Sequence, residues 1–93
     1  MGLKEQAEEL ARVVKLCEED ITLLGEQLQQ LDAETADQPL DAAARLDYQT
    51  ALDAYESAQR TVTNITSVQQ ISTITDTLSS GRYALACVQA RVA

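Results

Sequence analysis

Histidine, phenylalanine and tryptophan are absent from this chain; in 93 residues proline occurs once, and glycine and tyrosine three times each. Without histidine the usual general base, the Ser–His and Cys–His nucleophile pairs and the commonest metal ligand are gone. With so little proline and glycine, the turns that a β-sandwich or barrel needs every ten residues or so cannot be made, and an all-β fold is excluded. The glycines stand at 2, 25 and 81 and never cluster, so there is no glycine-rich phosphate loop. No window approaches the ~18 consecutive apolar residues of a membrane span. Basic residues are scarce as well: 7 against 15 acids, a net charge of −8. That balance repels a nucleic-acid backbone or an anionic membrane surface.

What is present is a 45% hydrophobic, aliphatic chain sized for one modest domain. The first residues, Met1-Gly2-Leu3-Lys4-Glu5-Gln6, are acidic and amphipathic within a few positions, unlike a signal peptide. Cys17 and Cys87 have neither a disulfide-framework nor a metal spacing. They read as two free thiols in a reducing, cytoplasmic setting, with a single bridge between packed helices as the alternative. The last residues, Ala84 to Ala93, are still helical in pattern where the chain stops, and we expect a segment of a longer protein.

Alternate steps of four and three from Leu3 meet Ala7, Leu10, Val14, Cys17, Ile21, Leu24, Leu28 and Leu31, all apolar. Only a helix with a 3.5-residue stripe gives that pattern. Val13, Leu16 and Leu23 widen the stripe on one side, which suits a helix touching two neighbours. On the polar face Glu8 precedes Arg12 by four, a weakly favourable pairing. A first helix over about residues 2–34 follows. Pro39 fits the first turn of a second helix, capped by Asp37 or Gln38 and running over about 39–63. There the stepping resumes through Ala44, Tyr48, Ala51, Tyr55, Ala58, Val62 and Ile65. Its alternation of small and large residues should lay each tyrosine ring over a groove of the neighbouring helix, hydroxyl at the rim. The register then slips. Ile65 to Ile71 is six residues, the stretch 61–67 is rich in β-branched residues, and Thr66-Ser67-Val68-Gln69 matches a capping box. A third helix is therefore expected over about 67–92, with one continuous helix over 40–92 as the rival. Three amphipathic helices with short connections predict an all-α fold: a three-helix, up-down-up antiparallel bundle with coiled-coil-like packing and a long first helix.

No constellation of polar residues converges on a chemistry. The acidic run Glu18-Glu19-Asp20 lies off the apolar seam, so a solvated face is expected there, and no metal or cofactor site. A di-metal bundle would need inward Glu-x-x-His motifs, and there is no histidine to supply them. Gly25 and Gly81 fall inside helices, where each costs about 1 kcal/mol against alanine; close helix packing is the expected reason. Arg82 and Tyr83, beside the seam of the third helix, are the candidate partner-facing residues, since arginine and tyrosine are favoured at interface centres. The alternative is a rim tyrosine that covers the bundle, with the arginines of the second and third helices set against the acidic surplus of the first to fix which helices are neighbours. Asn64-Ile65-Thr66 matches a glycosylation sequon, a weak pattern.

The run Ile71 to Ala86, with Gly81-Arg82-Tyr83-Ala84-Leu85-Ala86, resembles a helical segment of uncharacterised actinobacterial proteins that ends in a G-R-Y-x-L-A motif. The preceding helix carries the matching spacing in Asp47-Tyr48-Gln49-Thr50-Ala51-Leu52-Asp53-Ala54. The resemblance covers about residues 40–93. It implies a longer parent with a membrane-proximal part, and no catalytic residue. The expected function is a non-catalytic helical scaffold or protein-interaction module, able to self-associate. The alternative is a bundle that binds a small apolar ligand or cation through Tyr48, Tyr55 and the acidic face. A small secreted helical hairpin ranks lower, since its usual W-x-G turn needs a tryptophan.

Overall fold

The computed structural model describes residues 2–37 and 40–92. It holds α1 (Leu3–Glu34), α2 (Ala42–Thr63), a single 3-10 turn (Val68–Gln70) and α3 (Ile71–Val92). At 1.5 Å per residue α1 is about 48 Å long, close to the full length of a molecule measuring 54 × 18 × 18 Å.

The helix ends have identifiable causes. At the end of α1 the Thr35 hydroxyl and backbone N–H both donate to the Leu31 carbonyl, at 2.8 and 3.0 Å. The second helix starts later than the expected residue 39, and its cap is neither Asp37 nor Gln38. Asp41 caps it: its Oδ1 accepts from the Ala44 N–H at 2.7 Å. Asp37 lies in the turn after α1, while Gln38 and Pro39 lie outside the described residues. Asp41→Ala should therefore cost about 1 kcal/mol in urea unfolding, and Asp37→Ala a small fraction of that. Equal costs would contradict this assignment.

The break after α2 is real, and the chain does not run on as one helix. Thr61 and Thr63 turn their hydroxyls back onto the carbonyls of Ser57 and Gln59, and the Asn64 amide donates to the Arg60 carbonyl at 2.9 Å. Such back-bonds compete with continuation of the helix. The capping box falls one residue later than expected, on Ser67 and Gln70. The Gln70 Oε1 accepts from the N–H groups of Thr66 and Ser67 at 2.7 and 3.1 Å.

Contacts fix the topology. Gly25 of α1 lies beside Tyr55 of α2, and Gly81 of α3 lies between Ala54 and Leu24. Arg82 reaches Asp20, and Arg91 reaches Asp47. Thr66 and Val68, at the α2–α3 turn, stand beside Ala7 and Leu10. Hence α2 runs against both other helices and α3 runs alongside α1, an up-down-up three-helix bundle. The closest pair is α2 with α3. Ala44, Ala51, Ala54 and Ala58 on α2, and Gly81 and Ala84 on α3, are buried and small enough to bring two backbones together. Against this hairpin α1 lays Cys17, Ile21, Leu24, Leu28 and Leu31, each at most 6% exposed, while Ile74, Leu78, Leu85 and Val88 complete the core from α3.

The stripe on α1 is covered only along part of its length. Ala7 is exposed and Leu10 and Val14 are half-buried; full burial begins at Cys17. The hairpin turn comes level with the stretch from Gln6 to Leu10, so the first turn of α1 extends past it. Leu16 and Leu23, expected to widen the core-facing stripe, instead stand 60% and 51% exposed. Of the three flanking residues only Val13 packs against the core.

Both cysteines are free, Cys17 buried and Cys87 partly so. Taking Leu24 and Gly81 as level, they lie about thirteen residues of rise apart, roughly 20 Å, too far for a bridge within the chain.

Candidate interaction surface

Arg82 and Tyr83 are consecutive, so on a helix they point about 100° apart. Arg82 turns toward α1, where its Nη2 lies 3.6 Å from Asp20 Oδ2, both side chains about half exposed. Tyr83 turns outward. It is 74% exposed on the rim of an open trough between α2 and α3, with Asp47, Thr50, Ser79 and Ser80 along its walls. The structure thus separates the pair: one residue ties α3 to α1 and the other offers an uncovered ring to solvent.

The other two tyrosines serve the interior. Tyr55 lies across Gly25, and its hydroxyl accepts from Gln59 Nε2 at 2.9 Å. A ring over a neighbouring helix with its hydroxyl at the rim is the arrangement that the alternation of small and large residues predicts. Here the groove is opened by a glycine. Tyr48, half-buried on the same face of α2, has its phenol pKa pushed up, first by burial and then by the Asp32 carboxylate. Burial, with Asp20 adding to it, also pushes up the Cys17 thiol. Both folded-state values are raised, so the neutral forms contribute stability that is complete below the ordinary values of 9.0 and 10.0 and is lost as pH rises through the raised ones. Unfolding midpoints measured with reductant should therefore fall from about pH 9 upward. Tyr48→Phe should flatten the upper part of that fall, and an unchanged slope would contradict the assignment.

No family model, curated protein or solved structure matches this chain.

The acidic run lies along the open face of α1: Glu18, Glu19 and Asp20 line one shallow trough there with Lys15 and Glu26. Glu18 also borders a trough between α1 and α2 whose walls include Glu56 and Arg60, and Asp20 faces Arg82. Among the described residues no three acidic or cysteine side chains come together in a cation-sized group. The ion pairs among those residues are Asp20–Arg82 and Asp47–Arg91; Glu8 and Arg12 do not close to ion-pair distance. Asn64 of the sequon is exposed, with its side-chain amide engaged by the Arg60 carbonyl. No helix among the described residues is long and apolar enough to cross a membrane.

Sequence reasoning named Tyr83 and passed over the other large apolar side chains in water: Leu16, Leu23, Leu46 at 69% and Val68 at 48%. Leu46 had a usable signal, since it lies off the stepping through Ala44, Tyr48 and Ala51. Leu16 and Leu23 carried a misleading one, because next to an apolar stripe they resemble a second core-facing edge.

Proposed function

We propose that this chain is a non-catalytic helical scaffold or protein-interaction module. The observation that carries the reading is the contrast between its interior and its surface. Every buried side chain is apolar and no buried side-chain polar atom lacks a partner, among the described residues. Yet Leu16, Leu23, Leu46, Val68 and Tyr83 remain in water after the core has closed. Leu16 and Leu23 stand seven apart on one exposed flank of α1, and an apolar pair left outside a satisfied core is what a protein-binding surface uses, while the outward ring of Tyr83 is of a type favoured at interface centres. The free thiols support a cytoplasmic location. The resemblance to the actinobacterial segment would make this one module of a longer parent, tethered to a membrane through parts outside this segment.

The rival reading, a receptor for a small apolar ligand or cation, draws on Tyr48, Tyr55 and the acidic face. Tyr55 is already committed to Gly25 and Gln59, which favours the module. A thermal-melt screen against divalent cations and small apolar compounds decides between them. The module reading expects no saturable rise in Tm. A rise that saturates, and that Tyr48→Phe or Tyr55→Phe removes, would overturn it.

A further inference from the structure

One line of side chains on α1 stays uncovered at heptad spacing. Glu9, Leu16, Leu23 and Gln30 follow at intervals of seven, and all four are exposed. The middle of the line is apolar and both ends are polar. Asp20 lies four residues after Leu16 and three before Leu23, and it pairs with Arg82 of α3, so the line runs along the α3 flank of α1. On its other side run Arg12, Glu19 and Glu26, again at intervals of seven and exposed. Neither Arg12 nor Glu26 has an ion-pair partner within the chain among the described residues.

We propose that this face binds a second copy of the same chain, α1 against α1 in antiparallel, about a dyad between residues 19 and 20. This rests on the interaction-module reading and names its partner. The polar–Leu–Leu–polar order is self-complementary when reversed. Leu16 meets Leu23 of the second copy and Leu23 meets its Leu16, while Glu9 meets Gln30, whose amide can donate to the carboxylate.

Charge selects the direction. Parallel copies would set Glu9 on Glu9 along the line and turn the Arg12, Glu19 and Glu26 row toward the Asp20 side of the second copy, where Glu19 comes against Asp20 and Arg12 has no Glu26 to meet. The antiparallel arrangement forms two Arg12–Glu26 pairs and keeps one like-charge meeting, between the two Glu19 side chains at the dyad. Across the line, each Asp20–Arg82 pair presents both signs to its counterpart. An isologous interface of this kind closes at two copies. A single helix pair about 32 Å long buries less than the ~1,200–2,000 Å² of stable complexes. The dimer is therefore weak and forms in the range of tens to hundreds of micromolar.

Sedimentation equilibrium across that range tests the proposal on the intact chain. Wild type should move from monomer to dimer. Leu16→Ser with Leu23→Ser should abolish the dimer while leaving helicity and Tm of the dilute monomer unchanged, because both side chains are exposed. Arg12→Glu turns two attractions into repulsions and should weaken association about tenfold, since exposed pairs contribute modestly; Arg12→Glu with Glu26→Arg should restore it. Tyr83→Ser should have no effect. A wild-type monomer up to millimolar concentration would overturn the proposal and leave this face to some other occupant. A dimer that survives the leucine change, that Tyr83→Ser removes, or that Arg12→Glu leaves intact would overturn it as well. These outcomes are separable from failure of the module reading, which the ligand screen decides on the monomer.

Discussion

Replacing Gly81 with valine should destabilise the bundle by about 2–3 kcal/mol, although valine is a better helix former than glycine by a few tenths. A Cβ at position 81 would sit 3.0 Å from the Ala54 Cβ and 3.1 Å from Leu24 Cδ2. The Ala54 methyl moves only with the α2 backbone, and Leu24 is itself 1% exposed, so neither neighbour can give way cheaply. The extra methyl groups must push α2 and α3 apart along the small-residue contact that makes them the closest pair. Gly25 provides the control. A Cβ there would come within 2.7 Å of Tyr55 Cε2, a tighter approach, but the atom belongs to the tip of a half-buried ring that can swing outward. Gly25→Ala gains up to about 1 kcal/mol of helix propensity and should end within about 1 kcal/mol of wild type. Urea unfolding of the two variants side by side checks the contrast.

Leu24→Ala should cost about 3 kcal/mol or more, against about 0.5 kcal/mol or less for its neighbour Leu23→Ala. The residues are chemically identical and adjacent, and only their environment differs: 1% against 51% exposed. Leu24 sits where all three helices meet, touching the level of Gly81 and Ala54, and that packed hairpin cannot collapse into the space a truncated side chain leaves. A domain of this size has a total stability of roughly 5–10 kcal/mol. Leu24→Ala should therefore lower the urea midpoint sharply, while Leu23→Ala should leave it nearly in place. Similar midpoints for the two would mean that the stripe faces elsewhere.

Much of the architecture is legible in the spacing of apolar residues, because a 3.5-residue stripe admits one backbone geometry. The stripe from Cys17 to Leu31 and the small-large alternation on α2 are examples, and so is the slip between Ile65 and Ile71. What escaped was governed by contacts that a local pattern does not contain. Thr66…Gln69 and Ser67…Gln70 both satisfy a capping box, and only the path of the turn selects the second. Pro39 drew the start of α2 too early, while Asp41, three residues before Ala44, was the residue in place to cap it. Ala7, Leu10 and Val14 belong to the same stripe as Leu24, yet their burial depends on where the α2–α3 hairpin ends. Leu16 and Leu23 lie beside the seam, but the direction from which α3 approaches leaves them outside. The exposure of Tyr83 was legible from its place off the stripes, and the acidic surplus of α1 pointed to an arginine of α3 meeting it, while the particular pair, Arg82 with Asp20 sixty-two positions away, needed the path of the chain.

On this structure α2 and α3 form a tight hairpin that covers the apolar edge of α1 from Cys17 onward and leaves its first turns exposed. Residue-resolved hydrogen exchange on the dilute monomer tests this arrangement most directly. Amides of residues 20–31 should exchange only through global unfolding, together with those lining α2 and α3, while amides of residues 6–11 should exchange orders of magnitude faster by local fraying. Equal protection along the whole of α1, or protection of α1 that is lost independently of α2 and α3, would contradict it.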